Sequence, residues 1–236
     1  MKKYGLNNGY IGKDRLRSFA SGVLSQHKHA SLRQGNLMRI AGSGVVPEGL
    51  RINYSVESVS DQYPSTWADS SGAGVDATML GSPELVETSG INYLAFDAVA
   101  DGFEPSSGYS FTNGTGTVAL VIKTVDVQGL FFGNFLGAYR AGNKFYNNGF
   151  GSPTFHMDTV QKTNIYDHLR TGNWHYVEFK NVQNSSTTVA TWRFSKYNSY
   201  EIQCDLRAVI AYDHTLTAEE SQQNYNFYLN SGFLSD

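Results

Sequence analysis

Short strand-like segments, each closed by Gly, Asn, Asp or Ser, recur from Leu50 to Tyr212, and this pattern constrains the fold more than any other feature of the chain. Leu50, Ile52 and Tyr54 alternate with Arg51, Asn53 and Ser55, the period of a half-buried strand. Tyr93–Phe96 is a second short segment, and TVALVIKT at 117–124 reads as a strand buried on both faces in its middle. Leu130–Phe132, Phe135–Tyr139 and Phe145–Tyr146 follow, set apart by Gly133, Gly142 and Gly149. Trp174–Phe179, Thr188–Phe194 and Arg207–Tyr212 complete the set. The chain holds 24 glycines, is 14% aromatic and is only 17% charged, against about 25% for an average globular chain. This profile fits short strands and tight turns, and it excludes a helical bundle, a coiled coil and a disordered polymer.

The remaining bounds are negative. A lone Cys204 excludes an intrachain disulfide and a cysteine zinc cage. The longest apolar runs, such as Val118–Ile122, are too short to cross a bilayer as a helix. MKKYGLNNGY carries no apolar core of the secretory kind, so the expectation is synthesis in the cytoplasm and no membrane partner.

The net charge of −3 hides a division. Residues 1–51 hold nine Lys/Arg and two acids, a balance of +7, and residues 52–236 hold nine Lys/Arg and nineteen acids, a balance of −10. Residues 1–48 are broken by glycine every few positions and cannot bury enough apolar area to fold alone. They read as an extended basic arm that orders on a partner, with Lys13, Arg15, Arg17, Arg33 and Arg39 as its docking charges and Pro47-Glu48-Gly49 as the junction. The charges are too dispersed for nucleic acid to be the expected partner; a protein dock fits better. One helix is expected, near the C-terminus. Thr217-Ala218-Glu219-Glu220 is a capping box, Tyr225, Tyr228 and Leu229 form the predicted apolar stripe, and Gly232 is the stop.

Six segments in order carry a resemblance: Leu50-x-Ile52-x-Tyr54, Trp67-Ala-Asp69-Ser-Ser-Gly72, Leu94-Ala-Phe96-Asp97, TVALVIKT, Gly172-Asn-Trp174-His175-x-Val177, and Val209-Ile-Ala-Tyr212-Asp-x-x-Leu216-Thr-x-Glu219-Glu220. Together they resemble the laminin-G-like, concanavalin A-like jelly rolls, over about residues 49–236, in the form found in structural proteins of tailed bacteriophages. YIGKDR and ASGVLS in the leader are similar to anchoring arms of neck, tail or head appendage proteins. The resemblance implies an all-β, two-sheet antiparallel jelly-roll sandwich at 49–236, preceded by the arm at 1–48 and closed by one C-terminal helix. It further implies a non-enzymatic virion protein docked on other virion proteins through residues 1–48, homo-oligomeric with a trimer as first guess, and able to touch a host surface glycan. A free-standing lectin and a glycan hydrolase on the same fold are the alternatives.

Sugar sites combine aromatic faces with planar amide and guanidinium donors. Tyr139, Arg140, Asn143, Tyr146 and Asn147 offer that mixture, as do His156 and Asp158, although aromatics of a plain hairpin would look the same. No E-x-D-x-x-E run or Gly-x-Ser-x-Gly motif occurs; Asp97, Asp101 and Glu104 are the nearest group of acids, and solvated loop acids are the simpler reading. Asp69, Asp76, Asp97, Asp101 and Asp158 are formal calcium donors, but turn building by Asp is the commoner role. His27 and His29 would share one side of an extended strand and could meet a metal on a threefold axis, or simply face solvent. No metal or cofactor is expected. Trp67, Trp174 and Trp192, and Cys204, are expected in the core.

Overall fold

The alternation at the start of the body becomes β1 (Leu50–Ser55), whose Ile52 and Tyr54 are fully buried. The structure is a computed structural model that describes residues 44–97, 100–107, 114–124, 132–133, 138–139, 144–145, 153–163, 168–183, 193–194 and 203–236. Gly44–Asp236 forms one compact unit. Its further strands are β2 (Thr66–Trp67), β3 (Ala77–Leu80), β4 (Glu84–Val86), β5 (Tyr93–Asp97), β6 (Gly102–Pro105), β7 (Thr115–Lys123), β8 (Phe132–Gly133), β9 (Ala138–Tyr139), β10 (Lys144–Phe145), β11 (Thr154–Met157), β12 (Val160–Lys162), β13 (Trp174–Gln183), β14 (Arg193–Phe194) and β15 (Gln203–Tyr212). Helix α1 spans Ala218–Asn230.

The strands form two antiparallel sheets, the jelly-roll sandwich read from the sequence. The larger runs β12-β11-β13-β7-β15-β5-β4, with β1 also on β15; the smaller runs β2-β3-β6-β14-β8, and β9 pairs β10 separately. β15 is the hub. It pairs β7 along one edge, while β5 and β1 take the first and second halves of the other.

The face of the large sheet turned to the small one is apolar and aromatic. Tyr54 stacks on Trp67 at 5.5 Å, Trp67 meets Phe103 edge-on at 5.6 Å, and Phe103 stacks on Phe194 at 5.0 Å. Phe96 closes the group against Phe194 at 5.5 Å. Cys204 is buried, as expected.

The other face carries α1. The helix starts at the predicted capping box: Thr217 Oγ1 accepts from Glu220 N at 3.2 Å, and Thr217 N donates to Glu220 Oε2 at 2.8 Å. It ends at Gly232 (φ 81°), where Gly232 N reaches Leu229 O and Phe233 N reaches Tyr228 O. The predicted stripe needs correction. Tyr228 is buried, but Leu229 is 46% exposed, and the remaining buried helix positions are the polar Ser221 and Asn224. A polar stripe works here because the sheet beneath is polar too. Asn224 exchanges hydrogen bonds with the Tyr212 hydroxyl, and Lys180 Nζ donates to Leu216 O at 3.1 Å.

Residues 44–48, on the arm side of the sequence-drawn junction, are tied to this helix. Val46 is buried and its N–H donates to Asn224 Oδ1 at 2.8 Å; Gln223 Nε2 donates to Gly44 O at 3.1 Å. Gly49 follows at φ 63°, where a Cβ would lie 2.4 Å from Asp213 Oδ1 and from His214 Nδ1. Arg51 then grips Asp213 Oδ2 through Nε at 2.8 Å and Nη2 at 2.5 Å.

Candidate functional site

Asp158 and Thr159 form the two-residue loop between β11 and β12, both at positive φ (50° and 70°), the backbone of a tight hairpin turn. Asp158 Oδ1 accepts from Tyr176 N at 3.0 Å and Oδ2 from His175 Nδ1 at 2.8 Å. An ionised carboxylate only accepts, so Nδ1 bears the proton; in the neutral ring Nε2 then accepts from the Thr171 hydroxyl 2.8 Å away. Thr171 Oγ1 in turn accepts from Asn173 N at 3.1 Å. The order carboxylate, imidazole, hydroxyl resembles an acyl-transfer relay, but here each polar end fixes a turn, clipping the β11–β12 hairpin to the loop before β13. Sequence reasoning found Asp158 and missed His175 and Thr171, because no local spacing links position 158 to 171–175.

His156 sits across from Glu178 in the β11–β13 register, and its Nε2 lies 3.2 Å from Thr154 Oγ1. Burial, then the Lys180 charge, lowers its pKa below the usual histidine value. Among the described residues no hydrogen bond joins it to Asp158. Tyr139 lies in β9, in register with Lys144. Arg140, Asn143, Tyr146 and Asn147 fall outside the described residues, as do Trp192, His27, His29, Lys13, Arg15, Arg17, Arg33 and Arg39.

The acids considered for chemistry or metal are largely turn builders. Asp69 accepts from Asn53 N, Ser71 N, Ser71 Oγ and Val75 N, and Asp76 accepts from Asp69 N. Asp101 corrects the expectation of a solvated loop acid: it is buried, accepting from Ser82 N at 2.8 Å and Asp97 N at 3.2 Å. Glu104 lies within β6, opposite Thr78. No group of three or more His, Cys, Asp or Glu able to hold a metal occurs among the described residues.

The grouping that sequence reasoning did not assemble lies on the outer face of the large sheet, at the Lys123 end of β7. The register lines up Trp174, Lys123, Asp205, Ala95 and Glu84 across β13, β7, β15, β5 and β4. Trp174 is buried as expected, but on this outer face instead of between the sheets. β13 and β5 are three strand spacings apart, about 14 Å, yet the Trp174 and Tyr93 ring centroids are 5.7 Å apart, so the two side chains lean together over the strands between. The Arg207 guanidinium lies 4.0 Å from the Trp174 ring centre, and Lys123 Nζ lies 5.9 Å from it. Arg207 occupies the bulge where β15 slips against β7 between Leu206 and Ala208. Its Nη1 donates to Phe233 O and Ser235 O, and its Nη2 to Ile91 O. Burial raises the pKa of Asp205, with Lys123 and Arg207 pulling the other way, and raises that of Tyr93, with Asp205 adding to the effect. Gln203 and Asp97 face each other one step further out, where Gln203 Nε2 donates to Asp97 O at 3.1 Å.

No family model and no curated protein matches the chain. Solved structures similar to the chain include three from two kinds of protein. They are Trypanosoma rangeli sialidase in complex with sialic acid (13% identity, 80% of this chain, 34% of that chain, TM-score 0.48), an HCR/D mutant (10%, 78%, 52%, 0.48), and the receptor binding domain of botulinum neurotoxin C/D mosaic serotype (12%, 77%, 52%, 0.45). The chain spans about a third to a half of the length of these proteins, 34% to 52%.

Proposed function

We propose that the chain is a non-enzymatic structural component of a tailed-phage virion, in which the residues before Gly44 dock on other virion proteins and the β-sandwich is displayed outward to touch host glycans weakly. On this reading it is made in the host cytoplasm and assembles as a homo-oligomer, a trimer in the first instance. Weak single sites suffice because many copies act together.

The observation that carries the reading is how the sandwich holds the segment leading to residue 43. The root is gripped at three successive points: Gly44 and Val46 by Gln223 and Asn224 of α1, Gly49 by its close fit beside Asp213 and His214, and Arg51 by Asp213. Such a root passes a pull on the preceding residues into the hub strand and the helix, as a displayed head requires. The charge division, +7 before residue 52 and −10 after it, supports different partners for the two parts.

The test is deletion of residues 2–43 in the phage that encodes the chain. The sandwich should still fold, and virions should lack it. Virions that keep the truncated protein, or a purified full chain that releases reducing sugar from host polysaccharide, would overturn the proposal.

A further inference from the structure

We infer that the outer face around Asp205, Tyr93 and Gln203 is a binding site for a neutral glycan that presents adjacent hydroxyls. The inference rests on the displayed-head reading and names the ligand class and the residues that the reading leaves open.

Two polar groups at this spot lack hydrogen-bond partners among the described residues. One is the carboxylate of half-buried Asp205, which has neither a hydrogen bond nor an ion pair there. The other is the Nε–H of Arg207, a side chain only 2% exposed whose other nitrogens are committed to three main-chain carbonyls. The carboxylate is half-buried and its oxygens are not enclosed, so neighbouring sugar hydroxyls can reach them and supply donors to both. The Tyr93 ring, half-buried against Trp174, offers a flat apolar face for the C–H side of a sugar ring. Exposed Gln203 adds an amide whose nitrogen is fixed on Asp97 O, leaving its oxygen to accept.

The charge balance selects a neutral sugar over an acidic one. Asp205, Asp97 and Glu84 share this face, and the Lys123 ammonium is already paired with Asp236 Oδ1 at 2.9 Å. A uronic or other acidic sugar would meet more anions than cations. Asp205 is an acceptor suited to hydroxyls, and Arg207 is turned inward on carbonyls.

Saturation-transfer NMR on the full chain, with neutral hexose oligosaccharides and matched uronic-acid oligosaccharides as probes, tests this. The neutral set should receive saturation and the acidic set should not. Asp205→Asn and Tyr93→Ala should each weaken binding about tenfold, with Asp205→Asn leaving the melting temperature unchanged or higher. Equal transfer to the neutral sugars in both variants, stronger transfer to the acidic set, or no transfer to any neutral sugar would overturn the assignment. Incorporation of each variant into virions is read alongside. Lost sugar binding with normal incorporation is the expected pattern for Asp205→Asn. An unmodified chain that incorporates but binds no neutral sugar sinks this inference and leaves the arm-docking part of the reading standing.

Discussion

The two faces of the large sheet are built on different principles. The inner face sends Tyr54 and Phe96 into a ring cluster with Trp67, Phe103 and Phe194 of the small sheet, with few polar atoms to satisfy. The outer face buries Glu178, Lys180, Arg207, Tyr176 and Tyr212 under a helix whose own buried positions include Ser221 and Asn224. Inner-face stability comes from buried area and close packing of shapes. Outer-face stability depends on a chain of polar partners, each of which must be kept. That is why the outer face, and not the core, retains groups still able to take a ligand.

Changes to each face should separate these principles. Phe103→Ala removes a ring touching Tyr54, Trp67, Phe96 and Phe194, and should cost about 3–5 kcal/mol in denaturant unfolding; a loss below about 1 kcal/mol would break the comparison. Arg207→Met keeps much of the volume but strands the carbonyls of Ile91, Phe233 and Ser235. It should cost about 2–3 kcal/mol, and amide exchange should rise first in residues 233–236. Thr217→Ala removes the helix cap and should cost about 1 kcal/mol.

The last change alters a slope. Burial raises the pKa of Glu178 above its unfolded value, with Lys180 opposing, and Glu178 Oε2 has no hydrogen-bond partner among the described residues. The stability this group contributes is therefore present below its unfolded pKa and is lost as pH rises through the folded one. Glu178→Gln should flatten that fall in melts from about pH 4 to about pH 8, with its largest relative gain at the alkaline end. A wild-type profile without the fall would remove Glu178 as a charged weak point of the outer face.

What could be read from the sequence follows element length and regularity. Leu50–Ser55 and the 117–124 run were legible because alternation or continuous burial persists for several residues, and α1 because its cap chemistry is local. β2, β3, β4, β6, β11 and β12 have two to four residues each, too few for a period of two to show. The outer-face site was hidden for a sharper reason. The strand read as Arg207–Tyr212 begins at Gln203, and the bulge between Leu206 and Ala208 breaks the alternation at the point where Asp205 would have joined it. The lean of Tyr93 toward Trp174 across two intervening strands has no signature in sequence. Asp158 was visible as a turn residue, but its partner His175 came from register, which pairs Met157 with Val177.

β15 gives the molecule a built-in reporter. The single thiol of the chain, Cys204, lies in the strand that three others share, and burial pushes its pKa well above the ordinary thiol value. A thiol reagent reaches it only when the hub parts from a neighbour, so its labelling rate clocks the rare openings of the sandwich without any dye or tag being engineered into the protein.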